Sequence, residues 1–346
     1  MPMQSSKNKR MFYPDFIRVF SMFCILLYHF QIEFVSYTRD YHGIAIFGPE
    51  FHGINTGHIG VSLFFVLSGA SLTISSKPFS WKSFYKNRAL TIFPTYYLVW
   101  FGAFVCTFFL MPQKLAEIAP WTIVLTFLGL DGYFYDMIPT FYMVGEWFLG
   151  CLLLIYLIYP FLRKGLERFP RGFFWLTLLF WLPGIAISSG FPLQTDHLFY
   201  LRIPEFLMGI YLMRNWKRAR WYQGAVALVL LIVLLSGWIP FGVFELLRYA
   251  GIGISLYIIL RVFGEWVGRQ SGTWFQKSIH AWASVSFEIF LLHHLPIMWI
   301  VRIFFSGKQV SILTAAIVFL VWISTVSVGA WILHRMMQNF IFRRKL

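Results

Sequence analysis

Two ionisable side chains, Arg18 and His29, lie eleven residues apart in the first strongly apolar stretch of the chain. In an α-helix, eleven residues make about three turns plus about 20°, so both side chains point the same way, about 16 Å apart along the axis. Ionisable groups within a membrane span are costly and usually face a polar cavity or a partner. The pair therefore predicts a path lined by a cationic anchor near one end and a proton-accepting imidazole deeper in.

The composition is that of a protein that crosses a membrane several times. Of the 346 residues, 58% are hydrophobic and 12% are charged, and the mean hydropathy is +0.67, values typical of a polytopic membrane protein. The net charge of +15 comes mainly from Lys and Arg in short loops between apolar runs. The positive-inside rule explains this pattern, so no nucleic-acid partner is expected.

The three cysteines, Cys24, Cys106 and Cys151, all lie within apolar runs. Their spacing matches neither a disulfide framework nor a zinc site. We expect no metal site and no bound cofactor.

The apolar runs predict an all-α bundle of about ten transmembrane helices. A further run, 118–130, is shorter than the span of about 20 residues that a bilayer needs and fits a re-entrant or interfacial segment. Basic residues then fall in alternate loops, which predicts that both termini are cytoplasmic. The ten runs lie near 12–34, 57–76, 89–111, 140–162, 172–190, 198–213, 221–239, 243–262, 281–304 and 310–333.

The spans leave no room for a separate soluble domain. We expect a cytoplasmic tail over residues 1–11, one transmembrane domain over 12–334 and a second cytoplasmic tail over 335–346. The basic start of the chain lacks the small-residue cleavage site of a signal peptide, so the first span is expected to be retained. In the loop 35–56, His42 and His52 are expected to be exposed.

Six stretches in order along nearly the whole chain carry a resemblance. Together they resemble the acyltransferase 3 family of integral membrane acyltransferases, whose first helix has an arginine and a histidine separated by ten residues. The six are the Arg18–His29 pair and the stretches 57–69, 84–97, 147–160, 202–209 and 286–293.

The resemblance implies an enzyme, a multi-pass O-acyltransferase of the plasma membrane and by family default an O-acetyltransferase. The donor would be cytoplasmic acyl-CoA, with acetyl-CoA expected and succinyl-CoA open. The acceptor would be a hydroxyl of a cell-surface or lipid-linked polysaccharide. Its partners would thus be acyl-CoA, that glycan or lipid-linked saccharide, and membrane lipids.

Acyl transfer from a thioester to a hydroxyl needs a base, a stabilised oxyanion and a firmly held donor. His29 is the candidate base, and Glu33, four residues further on the same face, could orient its ring. Arg18 and Arg88 are candidate contacts for the donor, because a guanidinium matches phosphate oxygens. The structural alternatives are an ion pair of Arg18 with Asp15 and, in the basic loop before Arg88, ordinary positive-inside charge.

Three further residues are candidates for the substrate side. His58 stands beside glycines at the outer end of the second span, with an exposed loop position as the alternative. His293, about half-way along the run 281–304, either lines the cavity or simply packs, and its neighbour His294 is expected to face elsewhere on the helix. Glu146, before Trp147, could be neutral or paired.

Two other functions stay open from the residues alone. Intramembrane charges also suit a transporter or flippase for a glycan or lipid-linked sugar, although no convincing internal repeat is visible. Acylation of a small hydroxylated metabolite or a lipid is the third possibility. No nucleophile elbow, Walker loop or zinc-protease motif occurs, so direct transfer in a ternary complex is simpler than a covalent intermediate. Arg202 and Glu205, three residues apart, predict a structural ion pair.

Overall fold

The computed structural model describes residues 10–39, 53–74, 79–188, 190–270 and 272–343, and these ranges contain helices and no β-strand. Seven of the described helical stretches are long and apolar enough to cross a membrane. The prediction of an all-α membrane protein is therefore confirmed, whereas the count of ten spans and the cytoplasmic termini stay predictions. His42 and His52, with most of the loop 35–56, lie outside the described residues.

The α-helices follow one another with short connections. In chain order they are α1 (Phe12–Tyr37), α2 (Thr56–Thr73), α3 (Trp81–Leu110), α4 (Gln113–Ala116), α5 (Ile123–Leu128), α6 (Asp131–Phe134), α7 (Glu146–Arg168), α8 (Pro170–Ser188), α9 (Ile203–Asn215), α10 (Trp221–Leu235), α11 (Glu245–Gly268), α12 (Trp274–Ser284), α13 (Ser286–Leu292), α14 (His294–Ile300) and α15 (Ile312–Arg343). Short 3-10 helices lie at Pro120–Thr122, Thr195–His197, Phe199–Arg202 and Gly242–Phe244, and a π-helix lies at Val301–Phe305.

The seven candidate spans do not include every predicted run. They comprise α1, α2, α3, α7, the stretch Gly242–Gly268, the stretch Ser286–Phe305 and residues Ile312–Asn339 of α15. The predicted runs 172–190 and 221–239 form apolar helices of less than spanning length, and the run 198–213 is divided between a 3-10 helix and α9. The domain limits at 12 and 334 stay predictions, and α15 continues to Arg343.

Two ends of the bundle differ in character. At what we call the basic end, α1 begins, α2 ends and α3 begins, close to Arg10 and Arg88. At the opposite end, which we call the loop end, α1 ends, α2 begins, α3 ends and α7 begins. The topology prediction makes the basic end cytoplasmic.

Helix α2 is the central helix against which α1, α9 and α11 pack. Its glycines bring backbones into direct contact: a Cβ on Gly69 would lie 1.8 Å from the carbonyl oxygen of Phe206 on α9, and one on Gly60 would lie 2.6 Å from that of Ser21 on α1. Small residues permit such close approach between membrane helices. The contacts therefore fix α1, with His29, against α2.

Residues 111–145 cover the loop end and contain the short helices α4, α5 and α6. The stretch predicted as re-entrant or interfacial, 118–130, contains Pro120–Thr122 and α5, both too short to cross a bilayer. At the start of α6, Asp131 is buried and accepts hydrogen bonds from Tyr96 Oη at 2.9 Å and from the backbone N–H of Gly132 at 3.0 Å. These bonds anchor the segment to α3.

The predicted run 281–304 is interrupted in the structure. Helix α13 ends at Leu292 and α14 begins at His294. Pro296 lacks a backbone N–H, and its ring conflicts with the carbonyl four residues earlier, which is that of Leu292. The interruption is therefore a consequence of Pro296, and it lies beside the two histidines.

Candidate active site

Three histidines from two distant parts of the chain meet near the loop end. The ring centroid of His29 on α1 lies 4.9 Å from that of His293 and 4.5 Å from that of His294. Because adjacent residues of a helix project about 100° apart, the side chains of His293 and His294 point in different directions. His29 lies between them and contacts both rings. The expectation that His294 faces away from the site is therefore wrong.

Two carboxylates hold His294 by its two ring nitrogens. Its Nδ1 lies 2.5 Å from Oε1 of Glu146, and its Nε2 lies 3.2 Å from Oε1 of Glu33. Carboxylates only accept hydrogen bonds, so when both are ionised His294 donates from both nitrogens and carries a proton on each. Glu33 thus contacts His294 rather than His29, the partner that the spacing on α1 suggested.

The other two histidines keep unpaired nitrogens. His29 Nδ1 and His293 Nε2 are buried without a hydrogen-bond partner among the described residues. His293 Nδ1 donates to the carbonyl oxygen of Phe290 at 2.7 Å, so its Nε2 carries the lone pair. His29, His293 and Glu146 bring donor atoms within 4.8 Å of one another, an arrangement that the sequence spacing did not predict.

The backbone at Glu146 is held in an unusual conformation. Glu146 has φ +41°, in the left-handed region that side chains rarely adopt, and it follows Gly145 at φ +101°. Gly132 on α6 packs directly against it, since a Cβ there would lie 2.9 Å from the Glu146 carbonyl carbon and oxygen. Strained backbone persists where its surroundings over-determine it, often at functional sites. Here it positions the first carboxylate of α7 beside His294.

Two cavities adjoin the histidine cluster. The first, of about 250 Å³, is lined by His29 and Glu146 together with polar side chains that include Asn55, His58 and Gln194. The second, of about 630 Å³, is lined by Glu33 and His294 together with Lys114 and Arg302. Both cavities share the lining residues Tyr135, Asp136 and Tyr142. The cluster can therefore be reached from two sides.

His58 lies on the wall of the first cavity. Its Nε2 is 3.0 Å from Oδ2 of Asp196, and its ring centroid is 4.2 Å from that of Tyr249. Burial alone would raise the pKa of Asp196, but the hydrogen bond from His58 and the positive charge of Arg202 together hold the pKa of that carboxyl below its usual range. A half-buried, ionised Asp196 therefore fixes the orientation of His58.

Arg202 and Glu205 form the predicted ion pair, with Nη1 and Oε2 3.1 Å apart and both side chains fully buried. Arg202 Nε also donates to the carbonyl oxygen of Asp196 at 2.7 Å, and its guanidinium lies 5.7 Å from the ring centroid of Trp147. On Trp147, the ring of His197 stacks at 4.0 Å. The pair thus ties α9 to the residue that follows Glu146.

Arg18 and Arg88 lie at the basic end, away from the histidines. Arg18 Nη1 is 3.5 Å from Asp15, which also contacts Arg10 at 2.5 Å and His280 at 2.6 Å. Thus the structural alternative for Arg18, an ion pair with Asp15, is present, and its side chain is still 33% exposed. Arg88 stacks 5.6 Å from the Tyr156 ring, and its Nε has no hydrogen-bond partner in the described part of the chain.

The structure therefore gathers His29, Glu33, Glu146 and His293 of the candidate residues, with His58 on the adjoining cavity wall. A family model described as an acyltransferase domain matches residues 11–335. The chain belongs to the acyltransferase 3 family. No curated protein and no solved structure matches it.

Membership of the acyltransferase 3 family supports a membrane acyltransferase, in agreement with the seven apolar helices. His294 is the residue of this acyltransferase that the sequence reasoning missed. A signal was available, because an ionisable residue within a span is rarely idle and His294 directly follows a stretch that resembles the family.

Proposed function

We propose that this protein is a plasma-membrane O-acyltransferase that moves an acyl group, acetyl in the expected case, from acyl-CoA to a hydroxyl of a cell-surface or lipid-linked polysaccharide. The observation that carries the proposal is His29, in a member of an acyltransferase family. Its imidazole lies on the wall of a polar cavity, and its buried Nδ1 has no partner within the described ranges of the chain. An imidazole so placed is suited to take a proton from a hydroxyl.

The reaction begins with the acceptor in the first cavity. His29 removes the hydroxyl proton as the oxygen attacks the thioester carbonyl, which forms a tetrahedral intermediate. The C–S bond then breaks, the ester remains on the acceptor, and the coenzyme A thiolate takes the proton from His29 and leaves as the thiol, which returns His29 to its neutral form. Polar side chains on the cavity wall, such as Asn55 and Gln194, can hydrogen-bond the acceptor's other hydroxyls.

Glu146 supports the base through its charge. A carboxylate oxygen of Glu146 lies within 4.8 Å of a ring nitrogen of His29, so it stabilises the imidazolium that forms when His29 takes the proton, as the acid of a catalytic triad does. His294 keeps this carboxylate in place through its 2.5 Å contact and is held from the other side by Glu33. Glu33 and His294 are thus positioning residues for Glu146.

The donor is proposed to enter from the basic end. Arg18 is partly exposed there, and Arg88 Nε has no hydrogen-bond partner among the residues described, so both can bind the phosphates of coenzyme A. The helical rise separates Arg18 from His29 by about 16 Å on one face of α1. The extended thiol arm of coenzyme A would cover this distance, and the thioester would then meet the acceptor at His29.

The first test is a chemical analysis of surface polysaccharide from cells with the wild-type protein, without it, and with His29→Ala. Nuclear magnetic resonance of the glycan reports ester-linked acyl groups and their positions. We expect ester loss in the null and in His29→Ala at unchanged polymer amount. His334→Ala is the control, since His334 pairs with Glu288 on α13 and lines neither cavity beside the cluster.

A second candidate function is transport of a glycan or lipid-linked sugar. Two cavities that meet at buried ionisable groups would also suit a transporter. The same glycan analysis distinguishes transport from acyl transfer. Normal esters on polymer that no longer reaches the surface would favour export and contradict acyl transfer.

A further inference from the structure

We propose that His29, His293 and Glu146 form a binding site for a divalent transition-metal cation, with Zn²⁺ the best match, and that the bound cation stops acyl transfer. The second half rests on the proposed function, because it requires His29 to be the base. The first half rests only on the geometry of the three side chains.

The donor atoms are those that a metal needs. His293 Nε2 carries a lone pair, since Nδ1 of the same ring donates to Phe290, and it is buried with no hydrogen-bond partner in the part of the chain that the structure describes. His29 Nδ1 is likewise buried and finds no partner among the same described residues. Buried polar atoms in proteins nearly always have a partner, so two such nitrogens in one cluster require an explanation. With a Glu146 oxygen, one donor atom from each residue lies within 4.8 Å of the others.

The spacing needs only a small adjustment to bind zinc. Zinc lies about 2.1 Å from histidine nitrogens and carboxylate oxygens in tetrahedral sites, which places neighbouring ligand atoms about 3.4 Å apart. Donor atoms within 4.8 Å reach this separation by side-chain shifts on the order of 1 Å. Two histidines and a glutamate leave the fourth position open, and the cavity lined by His29 and Glu146 adjoins it.

Neighbouring groups already orient the ligands as metal sites require. The Phe290 carbonyl fixes the ring of His293, and Trp322 Nε1 donates to the carbonyl oxygen of His293 at 3.1 Å. Glu146 is held by His294. Such outer contacts set the direction and basicity of ligand atoms.

The carboxylates beside the cluster also favour a cation. Glu33 and Glu146 both contact His294, which lies between the two, while Lys114 and Arg302 line the second cavity and not the first. Ca²⁺ and Mg²⁺ prefer oxygen ligands alone, whereas two imidazoles and a carboxylate suit Zn²⁺ and its transition-metal neighbours. The metal would occupy the His29 lone pair, which is the one that proton transfer needs.

The binding test uses full-length protein purified in detergent and treated with a chelator. Co²⁺ is titrated by its visible absorption and then displaced with Zn²⁺, and elemental analysis gives the metal content. We expect one cation per chain, binding at least tenfold weaker in His293→Ala and in Glu146→Gln, and unchanged binding in His334→Ala. A rise in the wild-type thermal midpoint with Zn²⁺ checks the site without any variant. Wild type that binds no Co²⁺ and gains no stability from Zn²⁺, or His293→Ala that binds like wild type, overturns the site.

The inhibition test compares acyl transfer in chelator with transfer at saturating Zn²⁺. We expect transfer in chelator and its loss with Zn²⁺. Transfer that continues at saturating Zn²⁺ overturns the inhibitory half. Metal binding by a protein that transfers no acyl group in chelator supports the site and counts against the proposed function, so the two failures are distinguishable.

Discussion

Oε1 of Glu146 lies 2.5 Å from Nδ1 of His294, which joins the first residue of α7 to the first residue of α14. The contact is made where both helices begin, at a left-handed residue on one side and at an interrupted helix on the other. Because His294 also reaches Glu33 on α1, one imidazole connects three spans around His29. The position of the proposed base therefore depends on His294 as well as on its own helix.

Replacing His294 with Ala is expected to lower kcat about 10²-fold with little change in KM for acyl-CoA, within the range that positioned acid–base groups supply. The reason is that Glu33 and Glu146 lose the cation between them and repel one another, so Glu146 no longer stabilises His29. Steady-state kinetics with purified protein measure both parameters. A fall in thermal stability with kcat intact would show that His294 is only structural.

Gly132→Ala is expected to lower kcat by at least tenfold while leaving the chain folded. The added Cβ would meet backbone atoms of Glu146 at 2.9 Å and displace its carboxylate, and a misplacement of about 1 Å can reduce a rate about 10²-fold. Gly102→Ala on α3 is the matched control, because a Cβ there meets no atom of the described residues within 4 Å. Equal activity in the two variants would contradict the role given to the Glu146 backbone.

Part of this arrangement was predictable from the sequence. The Arg18–His29 spacing indicated one face of α1 because helical periodicity is local, and the apolar runs indicated where helices lie. The partner of Glu33 was not predictable, since His294 is 261 residues away and only helix packing brings the two together. The run 198–213 was also harder to interpret, because Pro204 lies just after the change from a 3-10 helix to α9.

Arg18→Ala is expected to raise KM for acyl-CoA by at least tenfold, with a smaller effect on kcat, because the residue is proposed to bind the donor and lies about 16 Å from His29 along the helix. Arg18→Lys should recover part of the loss, since an ammonium keeps the charge without the bidentate fork. Arg163→Ala serves as a control for lost basic charge, because Arg163 contacts Glu167 on the same helix. An unchanged KM in Arg18→Ala would contradict donor binding and show that the role of Arg18 is confined to its ion pair with Asp15.

Gly69→Ala is expected to destabilise the bundle by several kcal/mol. Overpacking of a core usually costs about 1–3 kcal/mol, and we expect a larger cost here. Its Cβ would lie 1.8 Å from the carbonyl oxygen of Phe206, and neither helix backbone can yield without disturbing the other contacts of α2. Thermal unfolding in detergent, followed by circular dichroism, measures the shift in midpoint. Gly102→Ala is again the control, and a midpoint equal to that of this control would contradict the backbone contact.

The stability of the fold should fall as the pH rises through the titration of Asp131. Burial raises the pKa of Asp131 to about 6 despite the hydrogen bonds from Tyr96 and Gly132, whereas the pKa of an aspartate in the unfolded chain is about 3.9. The folded state therefore binds the proton more tightly, so this contribution is complete below about pH 4 and is lost as the pH rises through about 6. This difference between the folded and unfolded pKa of Asp131 corresponds to roughly 3 kcal/mol of folding free energy at most.

Asp131→Asn removes the titrating group and keeps an oxygen that can accept from Tyr96. We expect the thermal midpoint of the wild type, measured relative to that of Asp131→Asn, to fall between about pH 4 and pH 7 and to change little above it, because the ionised carboxylate is then fully destabilising. Parallel pH profiles of the thermal midpoints of the two proteins would contradict this prediction. They would show that Asp131 is already ionised over this pH range, because its contacts with α3 offset the cost of burying its charge.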